Sequence, residues 1–134
     1  MNTLNFTKVR LMAILNELDA REITNTGALG VIDRVEQLLD EYRNTPFVIG
    51  KTDDPNRREN EYALKDYSIF KVVFSHPSLD AIDEMEKCLI RYFKIEETTA
   101  DGIINENDGG AGRRSEGLMY YIYVAIKPND NEHN

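Results

Sequence analysis

At 134 residues, with 41% hydrophobic and 30% charged side chains, the chain has the size and make-up of one ordinary globular domain rather than two. No apolar run approaches the roughly 20 residues that cross a bilayer, and the single Cys88 with only His76 and His133 leaves no intrachain disulfide and weighs against cysteine or histidine metal sites. A net charge of −8 argues against tight stand-alone binding to nucleic acid, although residues 46–74 balance 5 basic against 5 acidic side chains.

Leu11, Ile14, Leu15 and Leu18 recur at helical spacing and predict a helix over about residues 6–19. Thr24-Asn25-Thr26-Gly27 breaks it, and Ile32, Val35, Leu39 and Tyr42 mark a second amphipathic helix ending near Tyr42. The pair reads as a helical hairpin over 1–45 that covers one face of a sheet, with dimerisation through the apolar stripes as the alternative. A strand near 46–50 leads into a helix over 54–64, with Asp54 placed to cap it and Pro55 suited to its first turn. Residues 68–75, rich in Ile69, Phe70, Val72, Val73 and Phe74, predict a second strand buried on both faces. Pro77 and Ser78 open a helix whose core face is Ile82, Met85, Leu89 and Tyr92 or Phe93, with Glu86 beside that stripe. The polar, glycine-bearing stretch 95–116 then precedes a third strand over 118–126. Residues 46–127 read as an α/β core and 128–134 as a disordered tail. The expected fold is α+β, a small, mainly antiparallel three-stranded sheet flanked by helices.

Residues 47–62 carry the most chemical information. A short strand ends in Gly50, a turn and a helix start follow, and Arg57, Arg58 and Tyr62 fall on the first turns, Arg58 and Tyr62 on one face. Guanidinium groups beside Lys51 suit the anionic oxygens of a phosphodiester. The ordinary alternative is a solvated helix face on which Arg58 pairs with Glu59 or Glu61.

In order and spacing, residues 47–110 resemble a divergent GIY-YIG endonuclease domain. Val48-Ile49-Gly50 is similar to the second half of the family signature, Arg58 stands eight residues after Gly50, and Tyr62 follows four residues later. Glu86 resembles the family's metal-holding glutamate, and Asn105 to Gly110 resembles the asparagine and glycine-pair element of phage-type members. The resemblance implies Mg²⁺- or Mn²⁺-dependent hydrolysis of DNA, with Arg58, Tyr62 and Asn105 catalytic and Glu86 holding the metal. Lys51, Arg57, Arg113 and Arg114 are the accompanying phosphate-binding candidates, the last two beside Gly109, Gly110 and Gly112, which read more readily as a flexible turn before a strand.

The chain departs from the family at two points. Val48 stands where a tyrosine is expected, and nothing directly upstream reproduces the first half of the signature. A permutation answers both: the C-terminal strand packs beside residues 47–50, and Tyr121 and Tyr123, which share one face, approach Arg58. The missing tyrosines and the acidic balance favour an alternative of another class, a non-catalytic protein-interaction or regulatory module that keeps the fold. The expected partners are accordingly DNA, a protein, or a second copy through the N-terminal helices, and no membrane. Lacking a leader in its first residues, the chain is expected in the cytoplasm, or in a host-cell interior if phage-encoded.

Overall fold

A computed structural model describes residues 3–42, 45–95 and 118–128. Its elements in chain order are α1 (Thr3–Glu17), α2 (Asn25–Glu41), β1 (Phe47–Thr52), α3 (Pro55–Ala63), β2 (Ile69–His76), α4 (Leu79–Ile95) and β3 (Tyr120–Ile126). The fold is α+β, with an antiparallel three-stranded sheet in the order β1-β3-β2.

Local sequence explains most of the boundaries. Thr24 caps α2 by accepting the Gly27 amide at 3.0 Å, and Asp54 caps α3 through the Arg57 amide at 3.2 Å with Pro55 in the first turn. Ser78, rather than Pro77, caps α4, its hydroxyl accepting the Ala81 amide at 3.3 Å. Helix α3 ends in a wrapped turn in which the Tyr67 amide reaches back to the Tyr62 carbonyl at 3.0 Å, with Asp66 at φ 70° in the left-handed region that asparagine, aspartate and glycine tolerate best.

Strand β3, last in the sequence, is central in the sheet. Its Ile122, Val124 and Ile126 face the same side as Phe47 and Ile49 of β1 and are sealed by α4, whose Ile82, Met85, Leu89 and Phe93 are all buried. Each such side chain contributes roughly 1.5–3 kcal/mol through burial. Helix α2 contacts α4 and β2, and α1 lies on α2 and α4. The opposite face of the sheet carries Val48, Gly50 and Thr52 of β1, Tyr121 and Tyr123 of β3, and Phe70 of β2, and α3 packs there.

Strand β2 corrects the expectation of burial on both faces. It is an edge strand in which Val73 alone is buried, and a register shift between Val72 and Phe74 marks a bulge. Its run of apolar residues reads as a central strand, but β3 takes that place. Arg34 of α2 donates to the Val73 carbonyl at 3.1 Å and so satisfies one group of the exposed edge.

A long-range bond fixes the helical hairpin to the core. The Glu84 carboxylate of α4 accepts the amides of Arg21 (3.0 Å), Glu22 (2.8 Å) and Ile23 (3.2 Å), three consecutive donors in the α1–α2 connection.

Candidate functional site

The candidate residues lie on both faces of the sheet around β1 and β3, with α3 on one side and α4 on the other. Tyr123 of β3 is opposite Gly50 in the sheet register, and its ring lies across that glycine. A Cβ added to Gly50 falls 2.4 Å from the Tyr123 hydroxyl oxygen and 2.5 Å from Cζ, closer than side chains approach one another. Gly50 is therefore needed for close approach, a reason independent of backbone freedom.

Over this ring sits an aromatic cluster. Phe70 stacks on Tyr123 at a centroid distance of 4.7 Å, Tyr62 meets it edge-on at 5.5 Å, and Tyr67 meets Tyr62 at 5.3 Å. The Tyr123 hydroxyl donates to the Tyr62 hydroxyl at 3.1 Å. Burial, and then this hydrogen bond, hold the Tyr123 phenol protonated far above its usual range; Arg58 pulls the other way and Glu86 adds to the rise. Tyr123 is only 4% exposed, and its hydroxyl bonds Tyr62 within electrostatic reach of Arg58 and Glu86.

Arg58 donates through Nη1 to Glu61 at 3.0 Å, while its Nε is buried and lacks a hydrogen-bond partner. The Glu61 pairing is the ordinary alternative read from the sequence. Both side chains are about two-fifths exposed, at 42% and 44%, so this ion pair holds the guanidinium by at most about 1 kcal/mol. An orphaned buried donor on an easily released guanidinium is a group with hydrogen-bonding capacity to spare.

On the α4 side of β1, Lys51 extends from the strand to two carboxylates. Its Nζ lies 2.5 Å from Asp83 Oδ1 and 3.9 Å from Glu86 Oε1, and the three side chains are 14%, 24% and 7% exposed. Asp83 and Glu86 are three residues apart on α4 and so share a face. Glu86 is the only buried carboxylate among the described residues. Two oxygen-donor carboxylates a helical turn apart suit a hard divalent ion, which is commonly held by one or two carboxylates with the rest of its shell supplied by water and phosphate. No group of three or more potential metal ligands occurs among the described residues. Asp83 escaped the sequence reading, although its i, i+3 spacing from Glu86 was visible there.

The remaining candidates are distributed differently. Arg57 lies on the exposed side of α3, 3.8 Å from Asp53 and 4.0 Å from Asp54. Tyr121 shares the Tyr123 face one pair further along, between Thr52 and Ser75. Asn105, Gly109, Gly110, Gly112, Arg113 and Arg114 lie outside the described residues, as does the tail beyond Pro128. No described helix is long and apolar enough to cross a membrane.

Compared with protein-family models, with curated proteins and with solved structures, the chain matches none.

Proposed function

We infer that the chain is a GIY-YIG-like protein that hydrolyses phosphodiester bonds in DNA with the help of Mg²⁺ or Mn²⁺. The observation that carries this reading is the Tyr123–Tyr62 hydrogen bond, which ties β3 to the helix bearing Arg58, with the Asp83–Glu86 carboxylates held at Lys51 on the other face of β1. These side chains come from α3, α4, β1 and β3, and Glu86 is on the layer opposite the aromatic cluster. Support also comes from the pairing of β3 with β1, the arrangement a permuted signature requires.

In this reading Arg58 neutralises phosphate charge. Its weak hold on Glu61 and its unpartnered Nε let it turn to a phosphate oxygen with little loss. Tyr123, buried and held protonated, is a positioning residue that donates to Tyr62. Tyr62, half-buried, accepts from Tyr123 and turns its own O–H toward a water or phosphate oxygen. Glu86 would hold the metal with Asp83 beside it, and the metal would supply Lewis-acid stabilisation of phosphoryl charge.

The second reading, a non-catalytic interaction module, is favoured by one observation. Lys51, Arg57 and Arg58 each already face a carboxylate, so the patch offers DNA little uncompensated positive charge. Supercoiled DNA incubated with the protein and Mn²⁺ separates the two. The nuclease reading expects nicking that falls at least about 100-fold in Arg58→Ala and in Glu86→Ala; wild-type protein that neither nicks nor binds DNA at low salt supports the module.

A further inference from the structure

Lys51 and Arg58 face Asp83, Glu86 and Glu61, two positive groups against three negative ones. A phosphodiester bound beside these groups adds another negative charge, so that among them negative groups exceed positive ones by two. A divalent ion cancels both.

The place for such an ion is already held by a cation. Lys51 is fixed by geometry: it lies in β1 on the same face as Phe47 and Ile49, so its stem runs along the buried layer and delivers Nζ between Asp83 and Glu86. Glu86 is 6% exposed, and a carboxylate so far from water requires compensation whether or not a metal is bound. An ammonium on a flexible four-carbon stem meets that requirement and can also leave, since it has single-point contacts rather than a forked grip. Lys51 follows Gly50 directly, and the neighbouring Thr52 hydroxyl fixes the turn by accepting the Asp54 amide at 3.0 Å. The backbone carrying the lysine can thus stay in place while its side chain swings.

We propose that Lys51 is the resident, exchangeable cation of the Asp83–Glu86 pair, displaced when a divalent ion binds and thereby released to the phosphodiester. The proposal rests on the metal-dependent reading and adds to it a competitor, a second carboxylate and an order of events. In the metal-free protein the lysine is sequestered, so metal and DNA bind more tightly together than apart. The exchange is non-covalent, and the number of positive charges at the carboxylates rises by one when Mn²⁺ replaces the ammonium.

Direct titration calorimetry with Mn²⁺, in the absence of DNA, tests the exchange without relying on activity. In wild type Mn²⁺ must first break the Lys51–carboxylate attraction, and for unit charges about 4 Å apart removing that cost is worth about a tenfold gain or more at surface-like screening. Lys51→Met is therefore expected to bind Mn²⁺ at least about tenfold more tightly than wild type. Asp83→Asn, which leaves Lys51 to Glu86 alone, is expected to bind it about tenfold more weakly, and Glu86→Gln to lose binding. Where Lys51→Met lacks a folded baseline, Lys51→Gln, which also removes the charge, takes its place with the same expected gain.

Binding that depends on Glu86 but is unchanged by Lys51→Met or by Asp83→Asn overturns the exchange and leaves the metal-dependent reading standing. Absence of Mn²⁺ binding in wild type and Lys51→Met alike overturns both.

Discussion

Replacing Gly50 by alanine tests the central contact of the site through stability alone. The added Cβ lies 2.4 Å from the Tyr123 hydroxyl oxygen, whereas ordinary contact begins at 3.4 Å, so the ring must retreat by about 1 Å. It has little room to do so, because Phe70 stacks on it and Tyr62 holds its hydroxyl. Overpacking of this kind costs about 1–3 kcal/mol, and loss of the Tyr123–Tyr62 hydrogen bond adds about 1 kcal/mol. Replacing glycine in a strand returns about 0.5–1 kcal/mol through the unfolded chain. The expected net loss is about 1–3 kcal/mol, read as a lower urea midpoint at unchanged slope. The decisive control is Tyr123→Val, which removes the ring. In that background Gly50→Ala should be neutral or slightly stabilising, giving a coupling energy of about 1–3 kcal/mol in the double-mutant cycle. Equal costs of Gly50→Ala in both backgrounds would refute the reasoning, since the penalty would then come from the strand rather than from the ring.

Two further predictions concern other parts of the fold. Burial in α4 pushes the Cys88 thiol up to about 12 from its ordinary 9.0, so the folded state holds a proton that the unfolded state releases. That contribution is complete below about pH 9 and is lost as pH rises toward 12, at up to about 1.4 kcal/mol per pH unit. Urea midpoints at pH 9 and pH 10 should therefore diverge in wild type and converge in Cys88→Val; the interval ends where the ordinary phenol value of 10.0 brings Tyr123 into play. Removing the Glu84 carboxylate strands three amides in the α1–α2 connection, so Glu84→Ala is expected to lose about 1–3 kcal/mol. Amide exchange at residues 21–23 should accelerate before the sheet opens, and unchanged protection there would argue that the hairpin is held by apolar packing alone.

The sequence by itself determined the elements whose causes are local. The spacing of Leu11 and Ile14, the capping side chain of Asp54 with Pro55 after it, and the apolar face of α4 act over a few residues, and these elements appear near their expected limits. It also singled out Arg58, Tyr62 and Glu86 as the residues to follow and offered Tyr121 and Tyr123 as tyrosines of the C-terminal strand that approach Arg58; the tertiary structure puts Tyr123 in a hydrogen bond with Tyr62. The tertiary structure decided what depends on strand order. The composition of β2 gave no hint that β3 would occupy the centre, because edge and central strands share the same apolar residues until their neighbours are known. Gly50 looked like the end of a strand, and only the register opposite Tyr123 gives its missing side chain a purpose. Lys51 looked like a free cation for phosphate, and only the packing of α4 against β1 brings Asp83 and Glu86 to it. Ion pairs and cross-strand contacts between residues more than 30 positions apart leave no periodic trace in the chain; they exist because the core draws β1, β3 and α4 together.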